Sequence, residues 1–457
     1  MPHYVYRLAT VFIPLVVFLG MSYLYAYGDQ NVYAQILTAI GIWPFQFPFL
    51  DISAWLAVWE CARQGVDVIS VNPCDVLQRG YSASPLWIEA SAIPLGVRDT
   101  AVVGWLLDLV FLISLSLLPS PQDFRELMLV LAAILSTMVI FALERANPDV
   151  LLFIMTLTTG ALVERRLYMR MLGYLLALLA ALLKYYPIMV LIIALRERAS
   201  MVIAVSLVIA GSLVAFWTEY HVEIARGLPA ITHGPYNTDL FAAKNLPFLF
   251  GEAAGGAAGK FVAGVAYATL VGVSLSICRR LLRFDELRSA LATLDAAERN
   301  LLVIGSAVIV GCFFAGQSVG YRGVYFLLAM PGLLAISRRP AGSELRHLAL
   351  GTSVVILLLM WGECFRLALY RAVEHPSMPE VLGTNLKIQF WFLRELGWWW
   401  TVSVMLAVLI DFLAASPLTH WVSSRFASLG SGHKVTKNPD PIAYLPLSLR
   451  FHVSKSE

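Results

Sequence analysis

The chain has 457 residues, of which 59% are hydrophobic and 14% are charged, and its formal net charge is only +3. Soluble globular proteins carry roughly a quarter of their residues as charged side chains, so a wholly water-facing fold is excluded and lipid must solvate much of the surface. The small net charge and the lack of a basic stripe exclude nucleic acid as a partner.

Apolar segments separated by polar links recur along the chain. They predict an all-α, polytopic integral membrane protein with about twelve transmembrane helices and structured outer loops. The first segment lacks a small-residue cleavage site, so we interpret it as a retained helix rather than a cleaved signal. The predicted spans lie near 7–27, 100–118, 126–143, 149–164, 171–183, 187–196, 200–218, 261–278, 300–315, 323–337, 347–363 and 397–415.

The stretch 171–196 is too long for one comfortable span and has Lys184 and Pro187 near its middle. Proline breaks a helix, and a lysine at mid-bilayer is unfavourable. Two interpretations compete: one kinked helix, or two short helices that rise to the outer side and return with Lys184 at the turn. Arginine-rich short loops face the cytoplasm, and only the return keeps the arginines at 196–198 and near 280 inside. We therefore prefer the return, with both termini cytoplasmic.

This topology divides the chain into a transmembrane domain, residues 1–415, and a cytoplasmic tail, residues 416–457. The Gly and Ser content of the tail predicts partial disorder. Three long pieces, 28–99, 219–260 and 364–396, face the outside, together with short links at 144–148 and 316–322. Long structured outer loops are more typical of an enzyme or a receptor than of a simple channel.

A short amphipathic helix is predicted in the first outer loop. Within 51–64, the residues Ile52, Trp55, Trp59 and Ala62 have the spacing of one helical face. An interfacial helix lying on the membrane surface has this pattern. A helix packed on its neighbours is equally compatible with it.

Two of the five cysteines, Cys61 and Cys74, also fall in the first outer loop. If the loop faces an oxidising compartment, these two thiols can pair. Their separation of thirteen residues permits a disulfide but does not establish the geometry. Pairing and two free thiols are both left open.

Polar groups at membrane depth are functional candidates, because burying them in hydrocarbon is costly. In the preferred topology they cluster on the outer side. A carboxylate there can act as a general base toward a hydroxyl, Arg and Lys can hold a phosphate, and aromatic rings can stack on sugars. Together they match transfer of a sugar from a lipid-linked phosphate donor. The candidates are Asp51, Arg145, Asn147, Asp149, Lys184, Tyr185, His233, Tyr321 and Arg322.

Most of these residues also have a plain structural interpretation. No His, Asp and Glu spacing indicates a tight metal site, although a divalent ion shared by a donor phosphate and a loop carboxylate stays open. The alternatives are an N-cap for Asp51 and Asp149, an ion pair for Arg145 and Arg322, snorkelling to the interface for Lys184, an aromatic-belt position for Tyr185 and simple solvation for His233.

Several motifs, in their order along residues 1–340, resemble a known family. The runs Asp51-Ile52-Ser53-Ala54-Trp55, Gly65-Val66-Asp67-Val68 and Tyr81-Ser82-Ala83-Ser84-Pro85-Leu86 are similar to the first outer loop of GT-C class glycosyltransferases, particularly family 87. Lys184-Tyr185-Tyr186-Pro187 resembles that family's Lys-x-x-Pro signature, and Asn147-x-Asp149 stands where the family has a polar motif. Ser84 stands where the family often has proline.

The resemblance implies a GT-C fold and a mannosyltransferase-like activity. The donor would be a polyprenyl-phosphate sugar, with mannose or a pentose, and the acceptor a lipid or a glycan. Asp51 would be the base that activates the acceptor hydroxyl, with inversion at the anomeric carbon. The site would lie on the outer face of a bacterial-type inner or plasma membrane, in contact with membrane lipids.

Two other classes of protein remain as alternatives. A polymerase or ligase of lipid-linked polysaccharide is also multi-helical, and it would depend on loop arginines and histidines rather than on Asp51. A lipid or solute transporter would show inverted repeats and charges along a central path. We find neither feature in the sequence.

Overall fold

The computed structural model describes residues 3–230, 234, 239–283, 285–340, 343–375 and 378–430. The structure is 80% helical with almost no strand, which confirms the all-α prediction. The α-helices are α1 His3–Tyr27, α2 Gln30–Ala39, α3 Leu50–Arg63, α4 Leu86–Glu89, α5 Thr100–Ser114, α6 Phe124–Ile134, α7 Thr137–Glu144, α8 Pro148–Leu162, α9 Leu167–Leu183, α10 Ala199–Gly227, α11 Asn245–Ala254, α12 Gly256–Leu282, α13 Asp285–Thr293, α14 Ala296–Ala315, α15 Phe326–Ser337, α16 Glu344–Met360, α17 Gly362–Val373, α18 Glu380–Ala414 and α19 Pro417–Gly430.

Short 3-10 helices and one small β-ladder complete the described secondary structure. The 3-10 helices are Ala90–Ala92, Val97–Asp99, Leu115–Leu117, Tyr186–Arg196, Leu228–Ala230 and Gly320–Tyr325. Strands β1 Leu240–Phe241 and β2 Ser318–Val319 pair antiparallel, with Leu240 opposite Val319. The ladder joins two connections that are far apart in the sequence.

Among the described residues, six helices are long and apolar enough to cross a membrane, or eight if each of two bent pairs forms one span. The bent pairs are α6 with α7, at 44°, and α16 with α17, at 60°. Three shorter apolar helices lie at Pro148–Leu162, Leu167–Leu183 and Tyr186–Arg196. Every predicted apolar segment overlaps a helical segment.

The helices differ in which solvent they meet. In α14 the most apolar window is 78% buried inside the protein, whereas in α1, α10 and α12 the corresponding windows are 11%, 6% and 11% buried. A helix that is apolar all round and is not covered by protein requires lipid around it. The outer helices α1, α10 and α12 therefore form the membrane-facing surface, and α14 lies in the centre of the bundle.

The chain turns back at Lys184. Helix α9 ends at Leu183, and Lys184 has an extended backbone that interrupts the helix. Beyond the break, the 3-10 helix Tyr186–Arg196 packs back along α9. Arg170 forms an ion pair with Glu197 at 3.1 Å, and Tyr174 donates a hydrogen bond to the same carboxylate at 2.9 Å. A continuous helix would separate residues 170 and 197 by about 40 Å, so the return interpretation is correct and the kinked helix is wrong.

Ion pairs and hydrogen bonds sort the connections into two ends of the bundle. We call the arginine end the one where Arg338 pairs with Glu126 and Glu298, at 2.7 and 2.9 Å. Arg196 and Asn300 both bind Glu164 there.

We call the loop end the one where residues of 28–99 bind residues 144–147 and Leu183. At this end the β-ladder joins the connection that contains Leu240 to the one that contains Val319. The predicted outer connections thus share one end, and the predicted arginine-rich links share the other.

Helix α3 forms where the amphipathic helix of the first loop was predicted, but its tryptophans pack on protein. The Trp55 ring lies 4.2 Å from the Trp87 ring, centroid to centroid, and edge-on to it. Trp59 Nε1 donates a hydrogen bond to the Trp87 carbonyl at 2.5 Å. Both faces of α3 are therefore covered or half-covered by neighbours, and the second interpretation, a helix packed on its neighbours, describes it.

The predicted tail begins with helix α19, Pro417–Gly430. Its first residues continue closely from α18, since Thr419 Oγ1 donates a hydrogen bond to the Leu413 carbonyl at 2.7 Å. Residues 431–457 lie outside the described residues.

Candidate functional site

Asp51 is held at the loop end by two backbone hydrogen bonds across the fold. The Phe49 amide donates to the Glu144 carbonyl at 2.7 Å, and the Asp51 amide donates to the Arg145 carbonyl at 3.1 Å. Phe49, not Asp51, occupies the N-cap position of α3, and no side chain caps that helix end. The capping alternative for Asp51 is therefore wrong, and its carboxylate is directed to other partners.

The Asp51 carboxylate has two side-chain partners and an exposed edge. Asn147 Nδ2 donates to Asp51 Oδ2 at 2.6 Å, and Arg79 Nη1 lies 3.6 Å from Asp51 Oδ1. The side chain of Asp51 is 19% exposed, so water or a substrate hydroxyl can reach it. A carboxylate held by a cation and an amide donor has a fixed orientation and can accept a proton from a hydroxyl that reaches it.

Asn147 connects Asp51 to a second, buried carboxylate. Its Oδ1 accepts a hydrogen bond from the Asp149 amide at 2.9 Å and so caps α8, with Pro148 in the first turn. The sequence Asn147-Pro148-Asp149 predicts a helix start, and the cap is Asn147 rather than Asp149. The Asn147 side chain therefore caps the N-terminus of α8 with its oxygen and orients the Asp51 carboxylate with its nitrogen.

The Asp149 side chain is completely buried between two cations. Lys184 Nζ binds Asp149 Oδ1, and Arg322 Nε lies 3.2 Å from Asp149 Oδ2. An ionised carboxylate in this position requires both partners, because desolvation without them would be very unfavourable. The cations themselves are 19% and 20% exposed. Asp149 neutralises one of the two positive charges, so the pair presents one net positive charge toward the opening.

Lys184 and Arg322 owe their positions to breaks in regular structure. Lys184 is the extended C-cap residue of α9, and Arg322 lies in the 3-10 helix that precedes α15. Arg322 Nη1 donates to Ser318 Oγ on strand β2 at 2.7 Å. The β-ladder and the α9 turn thereby bring together two cations from distant parts of the sequence.

Tyr186, rather than Tyr185, belongs to this group. The Arg322 guanidinium carbon lies 4.9 Å from the centre of the Tyr186 ring, and the Lys184 ammonium lies 5.8 Å from it. The Tyr186 hydroxyl is 2.8 Å from that of the buried Tyr325. Tyr185 is 42% exposed and contacts Phe216 edge-on at 6.4 Å, so it lies on the outside of the bundle.

Of two further predicted residues, Arg145 lies beside the site, whereas Tyr321 joins it because its hydroxyl interacts with the Asn147 side chain. The Arg145 guanidinium pairs with Glu144 at 3.1 Å and lies over the Phe141 ring at 5.3 Å. This contact matches the structural alternative, an ion pair. Tyr321 packs against the same Phe141 ring, with centroids 5.9 Å apart. His233 lies outside the described residues.

Arg79 is a site residue that the sequence did not reveal. Its guanidinium binds Asp75 at 2.8 Å and 3.1 Å, as well as contacting Asp51. Burial acts to lower the pKa of Arg79, but the carboxylates of Asp75 and Asp51 outweigh it and raise the pKa above the usual value for arginine. The Asp75 and Arg79 spacing alone resembles an ordinary helical pair, so no local pattern pointed to Asp51.

The described residues contain three non-glycine residues with positive φ, and all three adjoin this network. They are Phe49 at 69°, Gln78 at 50° and Ala146 at 42°. Phe49 lies two residues before Asp51, Gln78 directly precedes Arg79, and Ala146 directly precedes Asn147. Arg79 and Asn147 are the side-chain partners of the Asp51 carboxylate. Left-handed backbone in a residue with a side chain is unfavourable and persists where surrounding structure imposes it, often at functional sites.

Cys61 and Cys74 form a disulfide, with their Cα atoms 5.9 Å apart. Cys61 lies in α3, and Cys74 directly precedes Asp75. The bond therefore ties the helix that carries Asp51 to the segment that holds Arg79. The other cysteines, Cys278, Cys312 and Cys364, are free.

The described residues contain no group of three or more His, Cys, Asp or Glu side chains that could hold a metal ion. What they contain is a reachable carboxylate joined through Asn147 to a buried carboxylate that carries two cations. Such a set can accept a proton and stabilise an anion in the same place. No family model matches the chain, and neither a curated protein nor a solved structure does.

Proposed function

We propose that this protein is a membrane glycosyltransferase that moves a sugar from a polyprenyl-phosphate donor to a lipid or glycan acceptor. One observation carries the proposal: the exposed Asp51 carboxylate and the Lys184 and Arg322 cations belong to one network through Asn147 and Asp149. The motif resemblance to family 87 supports mannose or a pentose as the sugar. In this proposal the bundle is a GT-C fold with about twelve membrane helices.

In the proposed reaction, an acceptor hydroxyl oxygen attacks the anomeric carbon of the donor. The bond from that carbon to the phosphate oxygen breaks, and the hydroxyl proton moves to Asp51. The polyprenyl phosphate leaves with its additional negative charge stabilised by Lys184 and Arg322. A single displacement inverts the anomeric configuration.

The network assigns different roles to the two carboxylates. Asp149 is fully buried and occupied by both cations, so it serves as their counter-ion. Asp51 is the one that a substrate can reach. Arg79 and Asn147 orient the Asp51 carboxylate.

We further propose that the loop end faces the outside of a bacterial-type inner or plasma membrane and that both termini are cytoplasmic. The arginine end carries Arg196, Arg198, Arg338 and Arg339 in short links. Such arginines favour the cytoplasmic side. The Cys61–Cys74 disulfide at the loop end is typical of an oxidising compartment.

The test is sugar transfer by the purified protein, supplied with radiolabelled polyprenyl-phosphate mannose and a membrane lipid extract. Asp51→Asn keeps the size of the side chain but removes the base, so we expect transfer to fall roughly 100-fold or more. Asp67→Asn is the matched control, because Asp67 lies in the same loop and is exposed, with Arg226 as its partner.

Loss of transfer in Asp51→Asn alone, with unchanged thermal unfolding, supports the proposal. Equal transfer by Asp51→Asn and wild type would remove Asp51 as the base. If wild type transferred none of several lipid-linked sugars, glycosyl transfer itself would be wrong. A polymerase or ligase of lipid-linked polysaccharide would then be tested through its dependence on loop arginines.

A further inference from the structure

A large apolar cavity lies beside the candidate site, between α1, α2, α5 and α7. Its volume is about 850 Å³, within the range of roughly 300–1,000 Å³ that is typical of sites for small molecules. Its walls include Tyr25, Leu37, Trp105 and Ile140. A cavity with such walls suits a hydrocarbon chain.

The cavity adjoins the membrane-facing surface of α1. Val17, Leu19 and Tyr23 line it, and they are 41%, 41% and 66% exposed on the surface of the protein. Helix α1 is a candidate membrane span of which only 11% is buried. A molecule can therefore enter the cavity sideways from the lipid phase.

Asp108 also lines this cavity, although most of the other lining residues are apolar. It lies in α5, which is part of the candidate span Val97–Leu117, and it is 0% exposed. Neither of its carboxylate oxygens has a hydrogen-bond partner among the described residues. A buried carboxyl group without a partner is strongly unfavourable, so a hydrogen-bond donor on a bound molecule would stabilise this residue.

Glu144 brings a second carboxyl group to the same cavity. It is 6% exposed, and its carboxylate pairs with Arg145, whose Nε lies 3.1 Å from one of its oxygens. The described residues that line the cavity include no lysine or arginine to hold the phosphate of an anionic lipid. The two carboxyl groups are suited instead to hydroxyl groups, which donate hydrogen bonds and carry no negative charge.

The cavity and the candidate site share a thin wall. Phe49 and Glu144 line the cavity, and their backbones are joined by the 2.7 Å hydrogen bond from the Phe49 amide. Two residues beyond Phe49 is Asp51, bound in turn to the Arg145 carbonyl at 3.1 Å. A head group bound at Glu144 therefore lies next to the segment that carries Asp51.

We propose that this cavity is the acceptor site and that the acceptor is a lipid with a neutral, hydroxyl-bearing head group. Its chain occupies the apolar part of the cavity, and its hydroxyls donate hydrogen bonds to Asp108 and Glu144. This inference rests on the proposed function where it names the lipid as the acceptor. The donor phosphate belongs at Lys184 and Arg322, on the other side of the Phe49–Asp51 segment.

The first experiment measures binding without any sugar donor. The probe is a monoacylglycerol with a photoreactive group in its chain, and the comparison is the methyl ester of the same acid, which has no hydroxyl. Asp108→Leu removes both acceptor oxygens and keeps the branched shape of the side chain, with methyl groups in place of the oxygens. We expect specific labelling by the monoacylglycerol to fall roughly ten- to hundredfold, with little change for the methyl ester.

Two more variants keep this result interpretable. Ile36→Trp fills the cavity at its wall and is expected to abolish labelling by both probes. Val102→Trp places the same residue on the exposed surface of α5, outside the cavity lining, and is expected to leave labelling unchanged. Asp108→Leu is expected to be at least as heat-stable as wild type, because it removes an unpartnered buried carboxyl group.

If Asp108→Leu and Ile36→Trp both label like wild type, the cavity is not a lipid site and the inference is overturned. Labelling that depends on Asp108, together with a raised acceptor KM for transfer in Asp108→Leu, supports it. Cavity-dependent labelling without transfer by any variant would leave the lipid site standing and overturn the proposed function. Transfer that needs Asp51 but is unaffected by Ile36→Trp would support the proposed function and overturn the cavity as the acceptor site.

Discussion

Asp149 has no exposed side-chain surface, whereas the two cations bound to it are each about one-fifth exposed. A buried carboxylate of this kind stabilises its partners in place and gives them little freedom to move. The pair Lys184 and Arg322 is therefore preorganised for an anion. Asp149 lowers the net positive charge of the group without competing for the opening.

The first prediction separates the structural from the binding role of Lys184. Lys184→Met removes one partner of a buried carboxylate, so we expect the free energy of unfolding to fall by about 3 kcal/mol. In the double variant Lys184→Met with Asp149→Asn, the trio with Arg322 again has one net positive charge, so most of the stability should return. Transfer should stay low in both variants, since the phosphate has lost Lys184. The measurements are thermal unfolding in detergent and sugar transfer.

A double variant that regained transfer as well as stability would show that Lys184 is needed only to satisfy Asp149. Arg322→Lys is a useful companion, because it keeps the charge but loses the planar guanidinium over the Tyr186 ring. We expect it to fold and to transfer more slowly than wild type.

Gly104 supplies the second prediction. A Cβ atom at this position of α5 would lie 2.5 Å from Phe49 Cγ, and Phe49 holds the left-handed turn just before Asp51. Gly104→Ala should therefore displace the Phe49 ring and move Asp51, and we expect transfer to fall at least tenfold. Ordinary helix propensity acts the other way, since alanine is about 1 kcal/mol better than glycine in a helix.

The matched control is Gly264→Ala in α12, where an added Cβ meets nothing within 4 Å. It should leave transfer unchanged and stability equal or slightly higher. Wild-type transfer in Gly104→Ala would show that the position of the Phe49 ring does not control Asp51.

The first loop behaves as one element because helix α3 is joined to the segment that follows it. The Cys61–Cys74 bond, the 4.2 Å contact between the Trp55 and Trp87 rings and the hydrogen bond from Trp59 all join α3 to later parts of the loop. Arg79 reaches Asp51 through this arrangement. The loop is therefore cross-linked around the two residues, Asp51 and Arg79, that it contributes to the site.

The third prediction concerns that disulfide. Mass-tagging of the denatured protein with a maleimide polymer should add three tags without reductant, for the free cysteines at 278, 312 and 364, and five after reduction. Cys61→Ser with Cys74→Ser should lower the free energy of unfolding by about 3 kcal/mol, as for a loop of similar length. Transfer should also fall, because Asp75 follows Cys74 and holds Arg79. Five tags without reductant would contradict both the bond and an oxidising compartment.

The bundle as a whole has chemically different ends; helices α1, α10 and α12 are little covered by protein, whereas α14 is largely buried. The arginine end is held by buried and half-buried pairs such as Arg338 with Glu126. The loop end carries the site. In the proposed orientation, the arginine end faces the cytoplasm and the loop end faces outward.

The fourth prediction tests this orientation. In a variant whose three free cysteines are replaced by alanine, Ala253→Cys in α11 and Ala292→Cys in α13 place one exposed thiol near each end. A membrane-impermeant maleimide added to intact cells should label residue 253 and not residue 292. After the membrane is permeabilised, both should be labelled. The opposite pattern in intact cells would invert the topology and place the site in the cytoplasm.

Local patterns in the sequence were enough for the elements of this fold. Hydropathy windows located the apolar helices, Asn147-Pro148 marked the start of α8, and the Lys184 turn followed from arginine placement. These features depend on residues that are neighbours along the chain. The alternating direction of successive helices assigns each loop to one end of the bundle. The sequence could therefore also predict that one end holds Asp51, Asn147, Asp149, Lys184 and Arg322.

The contacts within that end depended on tertiary structure. Arg322 and Asp149 are 173 residues apart, and Asn147 and Asp51 are 96 apart, so no local pattern relates them. The choice of Tyr186 over Tyr185 depended on the direction of each side chain after the break in α9. Arg79 was missed because its partner Asp51 comes from another segment.

Asp108 shows the same limit most clearly. It lies within the predicted span 100–118, where a single acid hardly changes an apolar average. Its significance comes from the cavity beside it and from the lack of a partner on the described neighbouring helices. Composition and periodicity decided that this chain is a helical membrane protein. Helix packing decided which charged groups are paired, which a substrate can reach and which line a cavity. The reason is that side chains from distant segments come into contact only in the folded bundle.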